Sequence, residues 1–219
     1  MVKRTSTVVF VIITALACTA LVYFLRVEWV LLATGAKLIA STGFLATAIS
    51  VGALRHRFGQ VLFVGLALSF CGDLFLTGTS ERAFLFGLGS FLLAHLAYIG
   101  AFTIYGINGR WAVIAALPVL AGAATVTMWM LPSLPTELIM PVHAYTGVIS
   151  LMVIAAFGSK GAGASTLVVA GALMFFVSDL SVAAQRILQS DIPTIIWGLP
   201  LYYAAQLCLA LSASHSSSQ

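Results

Sequence analysis

Long apolar runs alternate with short polar breaks along the whole chain. The runs lie near 6–25, 28–51, 59–77, 83–105, 111–131, 137–157, 164–184 and 192–211. About 20 apolar residues cross the hydrocarbon layer as a helix. The pattern therefore predicts an all-α polytopic membrane protein, with eight transmembrane helices in one bundle and a single integral-membrane domain over 1–219. The breaks, such as Arg55-His56-Arg57, Asn108 through Arg110 and Gly158 through Gly163, are short. Consecutive spans should form antiparallel hairpins, leaving no room for a separate catalytic domain. The opening Met-Val-Lys-Arg and its apolar run resemble a signal peptide, but the run continues to about Leu25 without a small-x-small cleavage site. We expect it to be kept as the first helix.

Composition strengthens this reading. Of 219 residues, 61% are hydrophobic and 7% charged, against about 25% charged in a soluble domain. The net charge of +4 is scattered through short connections, which is the behaviour of orienting charges and not of a nucleic-acid surface. An even span count puts both termini on one side. With the amino terminus inside, Lys3, Arg4, Arg55, Arg57, Arg110 and Lys160 fall inside and only Arg26, Arg82 and Arg186 outside. Both termini are therefore expected to be cytoplasmic. Cys18, Cys71 and Cys208 show no metal or redox spacing and read as small buried hydrophobes.

Against this background two acids stand out. Asp73 and Asp179 lie inside apolar runs, each eight residues after a glycine, Gly65 and Gly171. A carboxylate in lipid costs about 3 kcal/mol or more unless it is neutral, paired or facing a cavity. The matched spacing fits either an internal duplication, with two halves around a common cavity, or chance in an apolar sequence. Lys37, His143, His95 and Gln206 join the acids between the bilayer centre and the outer surface. A pocket opening outward would accommodate them all. Helical spacing adds polar seams: His95 with Tyr98, Ser69 with Asp73, Tyr202 with Gln206, and Thr34, Lys37 and Ser41.

Bland readings stand beside these. Lys37 fits a structural ion pair with an aspartate as well as substrate binding, and His95 fits a bridge between helices. His143, after Pro141 near a span end, fits an interfacial position as well as an active one. Tyr98, Tyr202 and Tyr203 fit packing or the holding of a lipid headgroup or water. Intramembrane acids and a lysine also suit a small-molecule or proton-coupled transporter. His95, His143, Asp73 and Asp179 offer mixed zinc ligands, but no HExxH or similar spacing supports a metal site, and none is assigned. Ser69 and Ser178 adjoin the acids without a GxSxG elbow.

Four stretches carry a resemblance: LSFCGDLFL at 68–76, FLFGLGSFLLAHLAYIGAF at 84–102, GALMFFVSDLSVA at 171–183 and LYYAAQLCLA at 201–210. Together they resemble the YhhN-like membrane proteins, which include bacterial and animal lysoplasmalogenases. The resemblance covers most of the chain, and the 108–160 region matches mainly in character. It implies a membrane hydrolase that cleaves the vinyl-ether bond of a lysophospholipid, without a cofactor, in the bacterial cytoplasmic (inner) membrane. The products would be a fatty aldehyde and glycerophosphoethanolamine or glycerophosphocholine. Carried onto this chain, it implies important polar roles for Asp73, Asp179, His95, Tyr98, Lys37 and Gln206; with the residue reading above, we expect Asp73, Asp179 and His95 to be catalytic and Lys37, Tyr98, Tyr202, Gln206 and His143 to bind substrate. One aspartate would serve as proton donor, and the other, ionised, would steady the cation and activate water.

Overall fold

The computed structural model describes residues 2–186 and 195–214, so the start of the run expected near 192–211 lies outside the described residues. Among the described residues, eight long helices run in chain order: α1 (Val2–Arg26), α2 (Val30–Ser50), α3 (Arg57–Phe75), α4 (Glu81–Tyr105), α5 (Gly109–Met130), α6 (Thr136–Gly161), α7 (Thr166–Arg186) and α8 (Ile195–Ser212). Each is long and apolar enough to cross a membrane. The described residues are helical or in turns, with no strand among them.

The polar breaks end the helices through backbone chemistry. Ser80 Oγ accepts a hydrogen bond from the Ala83 N–H at 3.1 Å, capping α4. Asn108 Oδ1 accepts from the amides of Arg110 and Trp111 at the start of α5. His56 Nδ1 does the same for Gly59 at the start of α3. Each cap satisfies an amide that the helix itself leaves unpaired. After α4, Gly106 takes a φ of 123° that side chains disfavour, which turns the chain toward α5. Observed boundaries depart from the expected runs by a few residues. One such extension is in α6, which continues through Ser159 and Lys160 to Gly161 because helical hydrogen bonding outlasts the apolar run.

Sequential hairpins α1–α2, α3–α4, α5–α6 and α7–α8 pack closely, and further contacts join α2 to α3 and α8, α4 to α6, and α6 to α7. Six helices (α2, α3, α4, α6, α7 and α8) thus close a ring. Among the described residues, α1 lies outside it against α2 and α8, and α5 outside it against α6. The outer faces are hydrocarbon: Leu31 is 85% exposed and Leu117 78%, as a lipid-facing surface requires. Cys18 is buried as expected, but Cys71 faces outward and Cys208 is half-buried. Both of these cysteines lie on helix faces turned away from the ring's interior.

Two glycines of the matched motif serve close helix approach. A Cβ on Gly65 would collide with the ring of Tyr98, and one on Gly171 would lie 2.8 Å from Leu209 Cγ. Small residues at crossings let backbones approach where lipid offers no hydrophobic drive. Gly147 on α6, by contrast, has open space around it. Gly65→Leu should therefore lower the melting temperature in detergent, an overpacking cost of about 1–3 kcal/mol, while Gly147→Leu should not. Equal melting of the two variants would remove the close contact between α3 and α4.

Candidate active site

Asp73 sits one turn from the end of α3 and is 3% exposed. Its Oδ2 accepts hydrogen bonds from Ser41 Oγ of α2 at 2.6 Å and from the Tyr202 hydroxyl of α8 at 2.7 Å. Asp179 occupies the corresponding end of α7, with its side chain 19% exposed. Its Oδ2 accepts from the Tyr145 hydroxyl of α6 at 2.7 Å and faces His95 Nε2 of α4 at 3.3 Å. Each carboxylate is therefore anchored through one oxygen by two helices other than its own.

The two acids line one cavity of about 140 Å³. Lys37 and Tyr202 also line it, as do the hydroxyl-bearing Tyr145 and Ser181. Its apolar wall includes Phe84, Phe91 and Phe176. The lining comes from the starts of α2, α4, α6 and α8 and from the ends of α3, α5 and α7. The cavity thus lies toward the end of the bundle opposite both termini, as the depths of the polar residues suggest. A second void of about 500 Å³ shares Lys37, Leu76, Phe84 and Ser181 with it and extends between α1 and α7 past Thr34, Thr77 and Gln185.

Lys37 is close enough to Asp73 to act on it electrostatically. It forms no ion pair with it within 4.0 Å, so hydroxyls and not an ammonium hold the carboxylate. His95 is fully buried behind Asp179, its ring 4.6 Å from that of Phe175. Its Nε2 also lies 3.0 Å from the Tyr145 hydroxyl, while Nδ1 has no partner. A proton on Nε2 leaves Nδ1 as a bare acceptor. The other tautomer would bury an unpaired N–H at a cost of about 1–3 kcal/mol. The ring is therefore best read as a donor toward Asp179.

Tyr98 and Gln206 do not line the cavity. They sit beneath it, fully buried, with the Tyr98 hydroxyl donating to Gln206 Oε1 at 2.9 Å. That uses the only phenolic proton, so Ser69 Oγ, 3.2 Å away, donates to Tyr98. His143 stands farther off still: it is exposed, with Nδ1 at 2.6 Å from the Ile139 carbonyl of its own helix. Among the described residues no three of His, Cys, Asp and Glu converge as metal ligands. Tyr145 and Ser41 are the residues that complete the site. Ser41 is signalled by its helical spacing from Lys37. Tyr145 carries no signal beyond being a hydroxyl within an apolar run.

The sequence model described as the YhhN family matches residues 32–213. The bovine lysoplasmalogenase TMEM86A is 31% identical over 169 residues, covering 74% of this chain and 69% of its own length. The human lysoplasmalogenase TMEM86A matches with the same figures. A lysoplasmalogenase of Mycobacterium bovis is 33% identical over 150 residues, covering 65% of this chain and 57% of its own length. No solved structure matches.

Because Tyr145 and His95 meet on one oxygen of Asp179, their contributions should be coupled. Tyr145→Phe and His95→Ala, singly and together, are expected to show a coupling of about 0.5–3 kcal/mol in thermal stability. Strictly additive losses would separate the two residues from a shared network.

Proposed function

The chain belongs to the YhhN family, and we propose that it is a lysoplasmalogenase-like membrane hydrolase acting through Asp73 and Asp179. The substrate is a lysophospholipid with a vinyl-ether chain, and the products are a fatty aldehyde and a glycerophospho-alcohol. The observation that carries this reading is the cavity in which both carboxylates meet an apolar wall and Lys37. Beneath it, Tyr98, Gln206 and Phe175 are packed with almost no exposure. A closed floor suits an enzyme better than a two-sided transport path. The excess of Lys and Arg on the side of the termini would direct the cavity outward across a cytoplasmic membrane.

In each carboxylate the hydrogen bonds fall on Oδ2, leaving Oδ1 for chemistry. In this reading Asp73, the acid that Lys37 neighbours, takes the ionised role. Asp179 takes the role of proton donor. The protonated Asp179 delivers its proton to the alkene carbon beta to the ether oxygen, and the oxocarbenium ion forms beside ionised Asp73. Water adds to the cation as Asp73 takes one of its protons, giving a hemiacetal. Asp73 returns that proton to the departing glycerol oxygen while Asp179 removes the hemiacetal hydroxyl proton. The aldehyde and the alcohol separate, and both acids regain their starting states. His95 and Tyr145 hold Asp179 in aim throughout, and Tyr202 does so for Asp73. Lys37, between the cavity and the adjoining void, is positioned for the substrate phosphate.

Aldehyde release from lysoplasmalogen by purified protein tests this. Asp73→Asn and Asp179→Asn should each lower kcat by about a hundredfold to ten-thousandfold, the usual worth of a general acid or base. Wild-type turnover in deuterated water should place one deuterium on the carbon next to the aldehyde. Full activity in either variant, or an aldehyde without deuterium, would overturn the mechanism.

A further inference from the structure

α5 lines two voids with a single stripe: Trp111, Ala115, Pro118 and Gly122, then Val126 and Met130. The last two line the cavity of the carboxylates, and the first four line a separate apolar void of about 490 Å³. Their spacing of three and four residues puts them on one helical face. α6 repeats the arrangement, with Tyr145 and Ile149 on the upper space and Val153 and Phe157 on the lower. On α7, Phe176 lies one turn from Asp179 and lines both spaces, and Leu173 lines the lower one. The two voids are therefore successive lengths of one trough between α5, α6 and α7.

From this continuity we propose that the lower trough is the binding subsite for the single hydrocarbon chain of the substrate. The proposal rests on the lysolipid reading of the carboxylate cavity and assigns its tail. The trough from Trp111 to Gly122 is about 16 Å long at 1.5 Å per residue. One leaflet of hydrocarbon is about 15 Å deep, half of the ~30 Å core. The trough therefore takes one chain of ordinary membrane-lipid length. Its lining carries no charged group, and Trp111, Ile114 and Leu173 leave its side open toward lipid. α5 stands outside the ring and packs closely on α6, so a chain can enter sideways between α5 and α7. Phe176 marks the passage from the chain subsite to the reacting bond.

Gly122 supplies the test, because open space surrounds it. A large side chain there fills the trough without disturbing packing, and loss of an exposed mid-helix glycine favours the helix. Gly122→Trp should lose roughly tenfold or more in kcat/KM on long-chain lysoplasmalogen while keeping activity on one whose chain is too short to pass Gly122. Gly147→Trp, on a lipid-facing glycine outside the trough, should match wild type on both. An unchanged chain-length profile in Gly122→Trp would overturn the proposal. Binding is read separately with a lysophosphatidylethanolamine carrying a diazirine at its chain end, photolysed on the protein in phosphatidylcholine nanodiscs. Label on α5 between Trp111 and Gly122, on Val153 to Phe157 or on Leu173 to Phe176 supports the subsite, as does its loss in Gly122→Trp. Label confined to other faces overturns it. Wild type that takes label in the trough yet releases no aldehyde would end the hydrolase reading while leaving the chain subsite standing.

Discussion

A carboxylate surrounded by hydrocarbon must be given partners, and that requirement organises this bundle. Asp73 on α3 is held by Tyr202 of α8 and Ser41 of α2, and Asp179 on α7 is held by His95 of α4 and Tyr145 of α6. The acid of the α3–α4 hairpin is thus braced by the second helix of the α7–α8 hairpin, and the reverse also holds. These bonds cross the ring where helix–helix packing is sparse, between elements joined mainly through their neighbours. The cavity persists because its polar walls are fixed from outside it. Phe91 and Phe175, in edge-to-face contact with each other and with Tyr202, support that bracing from the apolar side.

Much of this was legible in the sequence. Span number and approximate limits follow from the length of apolar runs alone, since a helix is the only single segment that satisfies its own backbone in lipid. The convergence of Asp73 and Asp179 followed from their cost. Neither acid can face lipid, so both must turn inward, and equal depth brings them to one level. Depth, however, does not fix direction around a helix. His143 and Tyr145 are two residues apart and so point about 200° away from each other. Depth favoured the histidine, and packing brought the tyrosine inward. A single hydroxyl in an apolar run costs little wherever it points, so nothing in the sequence marked Tyr145.

Tyr98 and Gln206 show a related limit. Each shares a helical face with a residue of the site, His95 and Tyr202 respectively, but lies one turn deeper. A shared face correctly turned them inward. The extra turn carried them below the cavity floor, where the Tyr98 hydroxyl donates to Gln206 and accepts from Ser69. Their contribution is to close the chamber beneath the acids. Lys37 has the opposite placement, at the junction of two voids and without a close carboxylate partner.

The peripheral position of α5 has a further consequence. Its pairing with α6 leaves the braces on Asp73 and Asp179 entirely to other helices, so its motion need not disturb them. On the proposed reaction the two products are opposites in solubility. The charged glycerol phosphodiester can depart through the void lined by Lys37, Thr34 and Gln185, whereas the uncharged aldehyde is discharged sideways past α5. A reactive carbonyl would in that way be delivered straight to the bilayer interior, out of reach of aqueous amines.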